Sequence, residues 1–230
     1  MEKIVILTGA GISAESGLAT FRDEGGLWAA HRIEDVATPE AFERDPDLVH
    51  RFYNARRTQA ARVAPNAAHR ALARLQERHG GEVVLVTQNV DALHEAAGSR
   101  AVMHMHGTLA GALCARCEAR WPAPLVMSTQ DACPVCGAKA TRPDIVWFGE
   151  MPHGMEAIWT HLEEADVFAA IGTSGNVYPA AAFAQHAGRA GAHTIELNLE
   201  ASYNTRDFAE TRLGRASQVV PEWVGAVLGD

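Results

Sequence analysis

The chain's four cysteines fall as two pairs, Cys114-Ala115-Arg116-Cys117 and, 15 residues on, Cys133-Pro134-Val135-Cys136. Two C-x2-C knuckles at this spacing suit one tetrahedral zinc ion. All four thiolates would be ligands, which leaves no open position for a substrate, so the site reads as structural. A second run with chemical content is Gly9-Ala10-Gly11-Ile12-Ser13-Ala14. It follows a short apolar, β-branched stretch and opens a helical pattern, the context of a dinucleotide-binding turn. Glycines there let the backbone approach a pyrophosphate, and a helix N-terminus favours its charge. A tight strand-to-helix turn without a ligand is the plainer alternative. An ordinary dehydrogenase would carry an acidic residue about 20 positions later, at the end of its second strand. Here that region is Phe21-Arg22-Asp23-Glu24-Gly25-Gly26, a loop with no strand before it. Eleven histidines offer acid–base chemistry near neutrality, and spacing selects none of them.

These residues need a frame. Ile4 to Thr8, Glu82 to Thr87, Val167 to Ile171 and Thr194 to Leu197 read as short buried strands, with Val102 to His104 as another. Helices are predicted over Pro39 to Ala61 with a break near Asp45-Pro46, then over Asn66 to His79, Asp91 to Ala97, Pro179 to Arg189 and Val219 to Leu228. Alternating strands and helices imply an α/β fold with a doubly wound, Rossmann-like parallel sheet. Its ligands would sit in the loops after Thr8, Thr87, Ile171 and Leu197, at the carboxyl ends of the strands. From Cys114 to Thr141 the periodicity fades among Pro, Cys and Gly, and Asp144 to Trp147 returns to strand character. The expected organisation is a nucleotide-binding domain over 1–30, 65–108 and 144–230, a helical insertion over 31–64 and a zinc-binding module over 109–143.

The formal net charge of −8 argues against a non-specific nucleic-acid binder, which needs a basic face, and suits basic lysine-bearing partners. Runs such as Val83-Val84-Leu85-Val86 are far too short to span a membrane. Met1-Glu2-Lys3-Ile4 leads straight into a strand pattern with no basic and apolar leader, so a cytoplasmic protein is expected, its cysteines holding metal and not disulfides. Oligomeric state is not legible; a monomer is compatible.

Several motifs together resemble the sirtuins. Gly9 to Arg22, reading GAGISAESGLATFR, is similar to that family's signature. So are Thr87-Gln88-Asn89-Val90-Asp91 with Leu93-His94, His106-Gly107, Phe148-Gly149-Glu150, Gly172-Thr173-Ser174 and Asn198-Leu199-Glu200, in the family's order and across nearly the whole chain. The resemblance implies lysine deacylation coupled to cleavage of NAD as co-substrate, with one structural zinc. The acyl oxygen attacks the ribose carbon bearing nicotinamide; a histidine then takes a proton from a ribose hydroxyl, and water completes release of lysine and an O-acyl-ADP-ribose. His106, directly before Gly107, matches the catalytic histidine, and an imidazole is a suitable general base. Asn89 is placed with it. Gly9, Ala10 and Gly11 match the nucleotide turn. Gln88, Asn89, Val90 and Asp91 match the ribose and nicotinamide positions, although Asp91 is also a natural helix cap. Phe21 and Arg22 match a loop over the reacting ribose, with Thr20 and Trp28 placed beside them. Gly172, Thr173, Ser174, Asn198, Leu199, Glu200 and Ala216 match the adenosine half. The acylated peptide is expected to lie extended between a segment containing Val146 and Phe148 and one containing Val177 and Tyr178.

Two features resemble the branch that removes acidic acyl groups. Thr20 stands where typical deacetylases carry Asp, and Tyr53 and Arg56 lie three apart on one predicted helix face. A succinyl or malonyl chain ends in a carboxylate, which a guanidinium grips bidentately while a phenol donates to it. Ala37 resembles the small residue that widens the acyl pocket, and Arg57, about a quarter-turn away, is expected to be uninvolved. A plain deacetylase, an ADP-ribosyltransferase and a non-catalytic binding module are the alternative readings.

Overall fold

The computed structural model describes residues 2–18 and 31–230. Nine strands are present among them: β1 Lys3–Thr8, β2 Glu82–Thr87, β3 Met103–His104, β4 Gly107–Cys114, β5 Arg120–Pro122, β6 Thr141–Ile145, β7 Val167–Ile171, β8 His193–Asn198 and β9 Glu210–Leu213. Six form a parallel sheet in the order β3-β2-β1-β7-β8-β9, with its order reversing at the central β1. Crossover segments must connect parallel neighbours, and helices fill that role: α1 Gly11–Ala14, α2 Ile33–Val36, α3 Pro39–Arg44, α4 Pro46–Ala60, α5 Ala67–Arg78, α6 Leu93–Ala96, α7 Met155–Glu163, α8 Phe183–Ala190 and α9 Ala216–Leu228.

Each central strand is apolar on both faces because helices cover both. In β1, Ile4 and Ile6 pack with Leu72 and Leu75 of α5 and Val220 and Trp223 of α9. Val5 and Leu7 point the other way, into a core with Ile158 and Leu162 of α7 and Phe183 of α8. A third core joins α4 to the smaller sheet, through Phe52, Tyr53, Leu109, Ile145 and Trp147.

The break at Asp45-Pro46 is real. Asp45 ends α3 and caps α4, accepting from the Leu48 N–H at 2.9 Å, with Pro46 at the first helical position where no N–H is needed. Asn66 caps α5 in the same way through the Ala68 N–H. The strand expected over Asp144 to Trp147 lies instead at Thr141–Ile145. It pairs antiparallel with β4 in a three-stranded sheet, β5-β4-β6, that carries the cysteines. The last helix starts at Ala216, three residues earlier than expected, and contains Pro221.

The glycines of the β1–α1 turn also have a packing cause that was not expected. A Cβ on Gly9 would lie 2.8 Å from the Gly172 carbonyl oxygen, and one on Gly11 2.8 Å from Gly172 Cα. Gly172 itself, at φ +61°, would drive a side chain into the Ile12 backbone nitrogen. Three glycines thus let the β1 and β7 loops cross at backbone contact. Gly172→Ala is expected to destabilise the protein by about 3 kcal/mol, from the left-handed backbone plus the overpacked crossing. Urea unfolding reads this, and an unchanged midpoint would show that the crossing is looser than the geometry says.

Candidate active site

A cleft of about 1390 Å³ opens at the carboxyl ends of the parallel strands. The loops after β1, β2, β7 and β8 all contribute to it, through Ala10 and Gly11, Gln88, Gly172, and Asn198. Four strand ends meet here because the sheet order reverses at β1, so adjacent loops diverge and leave a crevice. Gly9 lies behind this lining, its N–H on the Ile171 carbonyl at 2.9 Å. The Gly11 N–H is likewise held by the Gly172 carbonyl at 2.8 Å, leaving the Ala10 N–H as the turn's uncommitted donor among the described residues. Thr20, Phe21, Arg22 and Trp28 lie outside the described residues.

His106 is held at the floor of the cleft by its position between β3 and β4. Its Nδ1 is 3.2 Å from the Gln88 carbonyl, which can only accept, so Nδ1 carries the proton and Nε2 is the basic nitrogen, without a partner among the described residues. Burial lowers its pKa, with the Gln88 carbonyl acting in the opposite direction. His104, two residues earlier, is not a second base. Its Nδ1 donates to the Asn89 carbonyl at 3.0 Å and its Nε2 meets Glu95 Oε1 at 2.7 Å. Burial alone would lower its pKa; the Glu95 carboxylate outweighs that and raises it. The two imidazoles therefore hold consecutive carbonyls of the 88–89 turn.

Beneath that turn lies a polar network of residues distant in sequence. Ser13 Oγ donates to Asp91 Oδ2 at 3.1 Å and accepts from Asn89 Nδ2 at 3.2 Å. His69 accepts the Asn66 N–H on Nδ1, so its Nε2–H faces Ser13 Oγ at 3.4 Å. Thr8 Oγ1 donates to Thr87 and receives the His94 Nε2–H at 2.9 Å. Burial pushes His69 down to about 4 and His94 to about 3, so both are neutral. Burial also raises the Asp91 pKa, against the Ser13 and Leu93 donors that favour its charged form. Asp91 does cap the start of α6, accepting from the Leu93 N–H at 3.0 Å, while its other oxygen stays with Ser13. Asn89 Nδ2 also donates to the Gly9 carbonyl at 3.1 Å, which leaves Oδ1 as its uncommitted polar atom among the described residues. Ser13 and His94 were named from sequence only as members of motifs, with no role given to them, and His69 was not singled out.

One end of the cleft is lined by Thr173, Ser174, Asn198, Leu199, Glu200 and Ala216. Asn198 Nδ2 grips the Thr173 carbonyl at 2.8 Å and ties the two loops together. Val90 lies toward the other end, with Ala37, Tyr53 and Arg56. Tyr53 is covered almost entirely, and burial pushes its pKa up to about 12, so it is a neutral phenol. The Arg56 guanidinium lies 6.0 Å from the Phe52 ring centroid; burial lowers its pKa while Tyr53 and Asp91 raise it. Arg57 turns away, its Nε on the Leu109 carbonyl at 2.7 Å and its other nitrogens on Asn54 and Met127. Val146 and Phe148 line one wall of the cleft, and Val177 and Tyr178 line it as well.

The four cysteines converge at the far end of the smaller sheet. Their sulfurs all lie within 4.8 Å of one another, with Cys114–Cys136 and Cys117–Cys133 both at 3.7 Å. A tetrahedron with zinc–sulfur bonds of about 2.3 Å has edges of about 3.8 Å, so the donor set fits that ion, whereas a disulfide needs about 2.05 Å. The two knuckles repeat one geometry. The Glu118 and Gly137 N–H groups each return to the first cysteine's carbonyl at 2.9 Å, and both residues have positive φ. Cys114, Cys117, Cys133 and Cys136 could hold a structural zinc.

Comparison with known proteins adds to this geometry. A profile described as "Sir2 family" matches residues 9–179. The NAD-dependent protein deacylase of Shigella flexneri is 55% identical over 99% of this chain and 85% of its own length. A solved Sir2 homolog–NAD complex superposes with a TM-score of 0.89 at 39% identity, covering 98% of this chain and 89% of the other. A Sir2 protein bound to a myristoylated histone peptide superposes at 0.75 with 30% identity, covering 98% and 90%. Matched over most of its length by the profile and over nearly all of it by a relative more than half identical, the chain belongs to the Sir2 family.

Proposed function

We propose that this chain is an NAD-dependent protein-lysine deacylase that takes acidic acyl groups, succinyl and malonyl, as well as acetyl. The observation that carries the activity is His106. Its Nδ1 is fixed, its Nε2 has no partner among the described residues, and it lies in a cleft that also joins the four strand-end loops to the Tyr53–Arg56 end. NAD, as co-substrate, would supply the ribose whose bond to nicotinamide breaks. His106 Nε2 then takes the proton of a ribose hydroxyl, and Asn89 Oδ1 and Asp91 face the same end of the nucleotide. Of the strand-end loops, those carrying Gly172, Thr173 and Ser174 and Asn198 to Glu200, with Ala216, would take the adenosine half.

The acylated peptide would lie between the 146–150 and 175–178 segments. On the first of these, the N–H groups of Val146, Trp147 and Phe148 already donate to His106, Glu150 and Ala37. Strand addition there would use the carbonyls and the Gly149 N–H. Acylated-lysine proteins are thus the partners. No helix among the described residues is long and apolar enough to cross a membrane. A cytoplasmic setting rests on four cysteines arranged for a metal and not for disulfides.

Release of nicotinamide on mixing the protein with NAD and an acyl-lysine peptide tests the activity; none with either acetyl or succinyl peptide sinks it. The acyl preference is tested by Arg56→Met. A carboxylate entering a mostly apolar pocket must be desolvated, and a charged hydrogen bond worth about 1.5–3 kcal/mol offsets that. The succinyl-to-acetyl ratio of kcat/KM is therefore expected to fall roughly ten- to 150-fold in Arg56→Met, and less in Tyr53→Phe. Equal losses on both peptides would reduce the site to a plain deacetylase.

A further inference from the structure

We infer that Trp147 is a specificity-positioning residue, whose indole N–H fixes the Tyr53 hydroxyl so that its proton points at the acid end of the acyl group. The inference rests on the acidic-acyl reading above and deepens it. Trp147 Nε1 lies 3.0 Å from Tyr53 Oη in a buried contact. An indole N–H donates and cannot accept, so it occupies the phenol oxygen as acceptor and leaves Tyr53's own proton no return path to Trp147. Among the described residues that proton has no acceptor, and the cleft is the open space beside it. A phenol held this way suits a carboxylate, which only accepts, and repels a cation or a competing donor. An acetyl group ends in a methyl and does not engage it.

The indole is itself packed by two neighbours. The Arg142 guanidinium lies 3.5 Å from its ring centroid, and Phe42 packs at 5.3 Å between centroids. Arg142 is fixed by two bonds to Glu150, at 2.7 and 2.9 Å. Glu150 Oε2 also accepts the Trp147 backbone N–H at 2.8 Å. Glu150, Arg142, Trp147 and Tyr53 thus form a chain from the peptide wall to the acyl end, with the Tyr53 hydroxyl as its last group.

The test is a double-mutant cycle with Trp147→Phe and Tyr53→Phe, on matched acetyl and succinyl peptides at saturating NAD. In the parent background, Trp147→Phe is expected to raise KM for the succinyl peptide roughly three- to tenfold, the scale of one neutral hydrogen bond, with a smaller change in kcat and in either constant for acetyl. In the Tyr53→Phe background the same substitution is expected to add little, because the group it positions is gone. Where Trp147→Phe fails to fold, 3-benzothienylalanine at position 147 keeps the shape, lacks the N–H and makes the same measurement. Equal losses on the two peptides, or a full additional loss in the Tyr53→Phe background, would overturn the inference and leave Trp147 a packing residue. A parent enzyme with no succinyl efficiency above background overturns the acyl reading, and the inference with it, before either variant is made.

Discussion

His106→Ala is expected to lower the turnover of deacylation by about 10²- to 10⁴-fold while the protein stays folded. That range is what a positioned general base contributes. The fold survives because the side chain is half-buried and makes one long hydrogen bond, to Gln88 at 3.2 Å, in a turn that His104 and Asn89 hold independently. The pH dependence carries the same information. The base must be neutral, and burial lowers its pKa, so the neutral form persists to lower pH than for an ordinary imidazole at about 6.5. The acid limb of kcat is therefore expected below that value, with activity lost as pH falls through it. Near-normal turnover by a folded His106→Ala variant would remove the residue from the mechanism. An acid limb well above the ordinary imidazole value would give the base role to another group.

The protein as purified is expected to bind one zinc per chain, and stripping that zinc is expected to unfold the smaller sheet and take the acyl end of the cleft with it. Structural zinc sites contribute about 10–16 kcal/mol in small peptides near neutral pH, against a typical domain stability of about 5–15 kcal/mol. The coupling to the cleft runs through named contacts. Asn54 Nδ2 donates to the Met127 carbonyl at 2.8 Å and its Oδ1 accepts the Met127 N–H at 2.9 Å, while Thr129 donates to Asp47 at 2.8 Å. Asn54 and Asp47 are on α4, the helix that carries Tyr53 and Arg56. Chelation is thus expected to lower the melting temperature and to impair succinyl turnover, with both restored by added zinc. Freshly purified protein without zinc would contradict the assignment, and so would chelated protein that melts like the parent.

The parallel sheet and the zinc ligands were legible in the residues because each signal is local. An apolar run of five or six residues flanked by glycine marks a doubly covered strand, as at Lys3–Thr8 and Val167–Ile171. A metal site needs donors of one type at knuckle spacing, and Cys114 to Cys136 supply them within 23 residues. Asp45-Pro46 ended one helix and began another by its own chemistry. The order of motifs along the chain carried the family, and through it His106. Tertiary structure decided what depends on segments far apart. Gly9 and Gly11 are small because Gly172, some 160 residues later, crosses them at backbone contact. Thr141–Ile145 belongs to the smaller sheet because it pairs with β4 across the cysteine loops. Ser13 meets Asp91 from 78 residues away, and the Trp147 indole meets Tyr53 from 94. Periodicity reports which face of an element is buried. It carries no record of which distant donor that face will meet, and in this protein that second fact sets the orientation of the Asn89 amide, the Asp91 carboxylate and the Tyr53 hydroxyl.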